Sequence, residues 1–148
     1  VVSLPLDVSF RAEYWNGTGF VTNTNDSCTQ IARANVKQSA YQAPLAACDT
    51  IISSTPVTLS SGVGTLRLSV SSGGHTGSVT LTPQLGATAG LFCNTVGGGT
   101  AATSSAGQSY LQGRWNNSAN YDQDPSARAA FGVYGSQPKN YIFFRENY

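Results

Sequence analysis

Apolar side chains fall on every second position at the start of the chain: Val2, Leu4, Leu6, Val8, Phe10, Ala12 and Tyr14. Ser3, Asp7, Ser9, Arg11 and Glu13 stand between them. A period of two buries one face and wets the other, so a long half-buried β-strand is expected over residues 4–15. Asn16-Gly17 follows, and its backbone accepts the positive φ of a tight hairpin turn. Phe20-Val21 then opens a return strand over residues 19–23, completing a first hairpin.

Strand-sized segments recur about every 8–12 residues, the spacing of a sandwich or barrel. Short strands are expected at 50–53 and 56–60. Residues 65–70 place Leu66, Leu68 and Val70 on one face, and residues 78–82 turn Val79 and Leu81 inward. With the loop Gly73-Gly74-His75-Thr76-Gly77 between them, they read as a second hairpin. Residues 31–37 fit a strand or a short helix, and Pro44 limits any helix beyond. Residues 97–107 begin with Gly97-Gly98-Gly99 and read as an exposed loop. A strand is expected at 110–115 and a polar loop at 116–125. Residues 127–134 and 141–148 read as a last hairpin, joined through Gly135-Ser136-Gln137-Pro138. The expected fold is therefore all-β, one domain over residues 1–148. An antiparallel β-sandwich, Ig-like or jelly-roll-like, is the first choice and a partly open β-barrel the alternative.

Composition sharpens this picture. Only 10% of the 148 residues are charged, against about 25% in an average soluble domain. The formal net charge is +1, so no electrostatic footprint for nucleic acid or an anionic membrane exists. Hydrophobic residues make up 40%, too many for a disordered chain. No apolar run approaches the ~20 residues of a membrane helix. Ser, Thr, Asn, Gln and Gly carry the polarity, which suits an extracellular β-protein. The chain contains no Met, which points to a processed product or an excised piece of a longer protein.

The cysteines are Cys28, Cys48 and Cys93. None has the close spacing of a zinc or redox motif. A Cys28–Cys48 bridge closes a loop of roughly twenty residues, a gain of about 3 kcal/mol in the chain-entropy model. It is the first choice, with Cys48–Cys93 and Cys28–Cys93 as alternatives.

Catalytic chemistry finds little support. His75 is the one histidine; a glycine-flanked loop leaves it solvated and mobile, a poor base for a Ser-His-Asp triad, and one histidine with scattered cysteines makes no usual zinc site. Gly97 to Gly107 lacks the Lys-Ser/Thr of a phosphate-binding loop. Asp122 and Asp124 resemble a paired-carboxylate or, with Asn120, a Ca²⁺ cluster, yet Asp before Pro125 is turn chemistry. Asn23, Asn25 and Asp26 suggest an Asx turn. No catalytic residue and no cofactor is expected, with Ca²⁺ at Asp122 and Asp124 the one metal alternative. Trp15, Trp115 and Tyr121 are candidates for stacking on sugars, set against a plain role at the rim of the core. Asn16-Gly17-Thr18, Asn25-Asp26-Ser27 and Asn116-Asn117-Ser118 match the glycosylation sequon. In the last strand Arg145 needs a carboxylate, with Glu13 or Asp124 in reach, and Glu146 needs Arg128 or Arg11.

Two segments carry a family resemblance. The first runs Arg11-Ala12-Glu13-Tyr14-Trp15-Asn16-Gly17-Thr18-Gly19-Phe20-Val21, with Asp26-Ser27-Cys28-Thr29 after it. The second runs Asp124-Pro125-Ser126-Ala127-Arg128-Ala129-Ala130-Phe131-Gly132-Val133-Tyr134 and ends on Arg145-Glu146-Asn147-Tyr148. Together they resemble the C-terminal domain of unknown function of MshQ-type proteins of the mannose-sensitive haemagglutinin type IV pilus system. Phe144 stands where that family usually has a tryptophan. The resemblance implies a secreted, bacterial cell-surface module with no catalytic residues to carry over. The expected function is an extracellular structural or adhesive module associated with a pilus or surface filament, not an enzyme. Its expected partners are other copies of itself or pilus and surface proteins, through strand addition at the first or last strand. A carbohydrate-binding module using Trp115 and Tyr121 is the alternative.

Overall fold

The computed structural model describes residues 4–52, 56–86, 90–105, 107–115, 119–132 and 141–145. The expected pairing of Glu146, the sequon at 116–118 and the turn at 135–138 lie outside them, as do positions 2, 3 and 53.

The described residues form eleven strands: β1 Leu6–Trp15, β2 Phe20–Thr22, β3 Gln30–Ile31, β4 Val36–Gln42, β5 Val57–Thr58, β6 Val63–Leu68, β7 Gly77–Pro83, β8 Leu91–Thr95, β9 Gly98–Ala101, β10 Ala127–Phe131 and β11 Tyr141–Arg145. One sheet is built around β1 from β2, β6 and β11. The other runs β10-β7-β4-β8-β9, all antiparallel. β3 and β5 form a small third ladder. The two large sheets do not close into a barrel, and one hydrophobic core joins them. The architecture is a β-sandwich.

β1 holds the first sheet because its alternation is long enough to serve three partners. Along one edge it pairs antiparallel with β6, from Leu6↔Leu68 to Arg11↔Val63, and then with β2, from Glu13↔Thr22 to Trp15↔Phe20. The change of partner falls at Ala12, whose N–H donates to the Gly62 carbonyl and whose carbonyl accepts from Asn23 N–H, both at 2.8 Å. Along the other edge β11 pairs parallel, from Ser9↔Tyr141 to Glu13↔Arg145. β1 is therefore an internal strand with both edges used. Its edges are thus largely taken within the domain, by β6 and β2 on one side and by β11 along Ser9–Glu13 on the other.

The first hairpin forms as expected. Gly17 takes φ +103°. Asn16 Oδ1 accepts from Thr18 N–H, the Thr18 hydroxyl and Gly19 N–H, all at 3.0 Å, which locks the turn. The other two expected hairpins do not form. β6 and β7 lie in different sheets, with a 3-10 turn at Ser72–Gly74 between them. β10 pairs with β7 and β11 with β1, so these too are split between sheets. The physical reason is common to both. Leu66, Leu68, Val79, Leu81, Ala129, Phe131, Ile142 and Phe144 are all buried. Alternation demands a buried face, and facing sheets supply one as well as a neighbour in the same sheet does.

Smaller differences have local causes. Residues 31–37 contain both forms, a 3-10 turn at Arg33–Asn35 followed by β4. The supposed loop at 97–107 contains β9. Its Gly99 is needed there, because a Cβ would lie 2.6 Å from the Phe92 carbonyl oxygen and 3.3 Å from Cys48 Sγ. Residues 110–115 form no strand; a 3-10 turn at Ser109–Leu111 precedes a single bridge between Gly113 and Gln123. Among the described residues 50–52, the bridge Ile52↔Leu68 forms in place of a strand.

The disulfide joins Cys48 to Cys93, with Cα atoms 5.2 Å apart, and Cys28 is free and exposed. The expected Cys28–Cys48 pairing is thus corrected. Cys28 belongs to the turn after β2, where its N–H donates to Asp26 Oδ1. Cys48 lies instead on β8, with its N–H donating to the Tyr41 hydroxyl, which also sits 3.4 Å from Cys93 Sγ. Burial pushes the Tyr41 hydroxyl above its usual range, so it stays neutral there.

Candidate functional site

The outer face of the β1 sheet follows from register. Cross-strand partners share a face, so Glu13 and Trp15 stand beside Arg145, Thr22 and Phe20, with Arg11 and Phe143 in the row before them. Near the first hairpin turn this face is aromatic. Trp15 is 53% exposed, Phe20 39% and Trp115 39%. Trp15 and Phe20 meet edge to face, centroids 5.3 Å apart at 71°.

Arg145 lies at the centre. Its guanidinium carbon is 4.1 Å from the Phe20 centroid, 5.0 Å from Trp115 and 5.6 Å from Phe143. Its Nε donates to Glu13 Oε1 at 2.9 Å. The Glu13 carboxylate is almost wholly covered, so it neutralises Arg145 from below rather than competing at the surface. This reverses the expected pattern at the end of β1. Glu13, on the polar phase, is buried, while Tyr14, on the apolar phase, is 36% exposed. Of the two partners expected for Arg145, the structure selects Glu13. A rigid planar cation stacked on rings is held more firmly than a lysine would be.

Trp115 reaches this face on a loop with its own supports. Gly113 exchanges backbone hydrogen bonds with Gln123, at 2.9 and 3.0 Å. A Cβ on Gly113 would lie 2.7 Å from Trp115 Nε1, so the indole packs directly over that glycine. Gln112 Nε2 donates to the Asp122 carbonyl oxygen and to Asp124 Oδ1. Asp124 Oδ1 also accepts from Leu85 N–H, and Asp122 Oδ1 accepts from the Gln123 amide. Asp122 and Asp124 therefore build the loop that presents Trp115. Among the described residues, no group of three or more His, Cys, Asp or Glu side chains is gathered that could hold a metal ion.

The remaining candidates lie in other arrangements. Tyr121 stacks with Arg114, 5.6 Å from its centroid to the guanidinium carbon. His75 is not a free loop residue: its Nδ1 is 2.8 Å from Asp49 Oδ2. That hydrogen bond, helped by Ala46 N–H, holds the Asp49 carboxyl below its usual range against the opposing effect of desolvation. Asp26 forms the expected turn, accepting from Thr29 N–H and the Thr29 hydroxyl at 2.9 and 2.6 Å. Arg128 donates to the Ser78 and Thr80 hydroxyls and to the Ala40 carbonyl, tying β10, β7 and β4 together.

Sequence reasoning named both tryptophans but missed Phe20 and Phe143 as their neighbours. A signal existed. Glu13 and Trp15 share one phase of β1, and Phe143 and Arg145 share one phase of the last strand. Their adjacency needed the parallel β1–β11 pairing, which no local pattern encodes.

The fold and patch define a disulfide-containing β-sandwich with an arginine-centred aromatic surface. The chain belongs to the family described as DUF6701, fourth domain, a domain of unknown function whose model matches residues 2–147. No curated protein and no solved structure matches it. Among the described residues no helix is long and apolar enough to cross a membrane, and the disulfide is compatible with a secreted or extracellular protein.

Proposed function

We propose that this domain is an adhesive module of an extracellular, MshQ-type surface protein associated with a pilus or surface filament, and that the Arg145 patch is its contact surface. The observation that carries this reading is the convergence of Trp15, Phe20 and Trp115 on one exposed face around Arg145. Exposed rings clustered and pinned in place mark binding surfaces, and Trp and Arg dominate the energetics of such contacts. Beads coated with the domain should be retained on cell surfaces. The double variant Trp15→Ala/Trp115→Ala should lose at least tenfold in retention with an unchanged unfolding midpoint. Retention of the folded variant at the wild-type level would refute the role of the patch.

Self-assembly by strand addition is the second reading, and β9 favours it. This strand ends the five-stranded sheet, and its residues Gly98, Gly99, Thr100 and Ala101 carry neither charge nor Pro, the usual guards of an edge. Light scattering at rising concentration should then show oligomers that Thr100→Pro abolishes. A monomer at every concentration would remove this reading.

A further inference from the structure

We infer that the patch binds uncharged carbohydrate, with the rings carrying the apolar faces of the sugar and the Arg145 guanidinium, held by Glu13, reading its hydroxyls. The inference rests on the contact role proposed above and names its ligand class.

The size of the patch comes first. The exposed rings sit at one end of the β1 sheet. Farther along the same face stand Thr65, Ser9 and the ion pair Asp7–Arg67, whose nitrogens and oxygens meet at 2.7 and 2.9 Å. Apart from Val63, 39% exposed opposite Arg11, the rows beyond the rings are polar, so the apolar area is small. A standard protein interface covers about 800 Å² on each partner, polar rim included, and three half-exposed rings make up only part of that. A compact ligand with one apolar face suits them better. Pyranose rings have such a face of C–H groups, with hydroxyls around the rim.

The polar chemistry agrees. The guanidinium is a planar fork suited to neighbouring oxygens in one plane. Stacking on Phe20 and Trp115 fixes that plane, and the bond from Nε to Glu13 fixes its rotation. Little conformational entropy remains to be lost when a ligand binds.

The charge balance decides between neutral and acidic sugars. Glu13 cancels Arg145, and Asp7 cancels Arg67. The covered Glu13 carboxylate offsets the Arg145 charge from below, so an anionic sugar over the rings would gain little from the guanidinium. A hydroxyl loses nothing by that arrangement.

The test uses the whole chain on an array of neutral glucose, galactose, mannose and N-acetylhexosamine oligosaccharides beside their uronate- and sialate-bearing counterparts. Binding should fall in the neutral set and change less than twofold between 50 and 500 mM NaCl, since screening acts on charges. Arg145→Lys, which keeps the charge and loses the fork, should weaken binding at least tenfold. Glu13→Gln, with folding checked by thermal unfolding, should shift preference toward the acidic set, an effect that a purely structural role would not produce. Binding confined to acidic sugars, or a steep salt dependence, would overturn the inference. An array blank for every sugar while coated beads still adhere would also overturn it, pointing to a protein partner and leaving the adhesive reading in place. Loss of bead adhesion itself would count against that broader reading instead.

Discussion

Replacing Phe144 by alanine should lower unfolding stability by about 3–5 kcal/mol, the range for deleting a buried phenylalanine. Phe144 has no exposed surface, and its ring meets Phe10 edge to face with centroids 5.2 Å apart at 69°. The two rings come from adjacent strands, in a core that both sheets share. Removing one leaves a void that the rigid β1 ladder cannot close, so the lost transfer energy and the cavity add. The consequence reaches the surface. Phe143 and Arg145 flank Phe144 and point to the opposite face, so a loosened β11 also loosens the centre of the aromatic patch. Urea denaturation with binding measured in parallel would check both effects. A loss below about 1 kcal/mol would show that the ring does not fill the core in this way. Phe144→Leu, which keeps much of the volume, should be far milder.

The sequence revealed some levels of this structure and hid others, for definite reasons. Residues with local causes were legible: the β1 alternation, the Asn16-Gly17 turn and the Asp26 turn. The all-β class and the sandwich followed from their repetition. What failed, beyond the first hairpin, was the inference about which strand meets which. A buried phase at Leu66 and Leu68 and another at Val79 and Leu81 describe two faces of one core equally well in one sheet or in two. The disulfide failed for the same reason. Chain entropy ranks pairings by loop length, but the packing of the 43–49 loop on β8 decides which sulfurs meet. The site was half legible. Trp15 and Trp115 stood out by type and phase. Their union around Arg145 depends on β11 crossing to lie parallel to β1, a contact between the two ends of the chain.

Reduction of the Cys48–Cys93 bridge should cost about 4 kcal/mol in the chain-entropy model, for a sequence separation of 45 residues. The loss should be concentrated rather than spread. Cys48 is a node: its carbonyl accepts from Gly97 N–H at 2.9 Å and its N–H reaches the Tyr41 hydroxyl. The adjacent Asp49 holds His75 through its carboxylate and Ser72 N–H through its carbonyl. β8 is tied to β4 by the narrow register Gln38↔Leu91, reinforced by Cys93 N–H donating to the Gln38 side chain. With the sulfurs parted, the β8–β9 hairpin should open first, because its register with β4 is the single pair Gln38↔Leu91. Amide exchange should therefore rise most over residues 91–101, while β1 keeps its protection under three partner strands. Cys48→Ser/Cys93→Ser should reproduce the effect of reductant, and Cys28→Ser should leave stability within about 0.5 kcal/mol, as expected of an exposed side chain. An unfolding midpoint unmoved by reductant would show that the bridge does not restrain the fold. Uniform exchange across both sheets would instead show that the hairpin and the β1 sheet open as one unit.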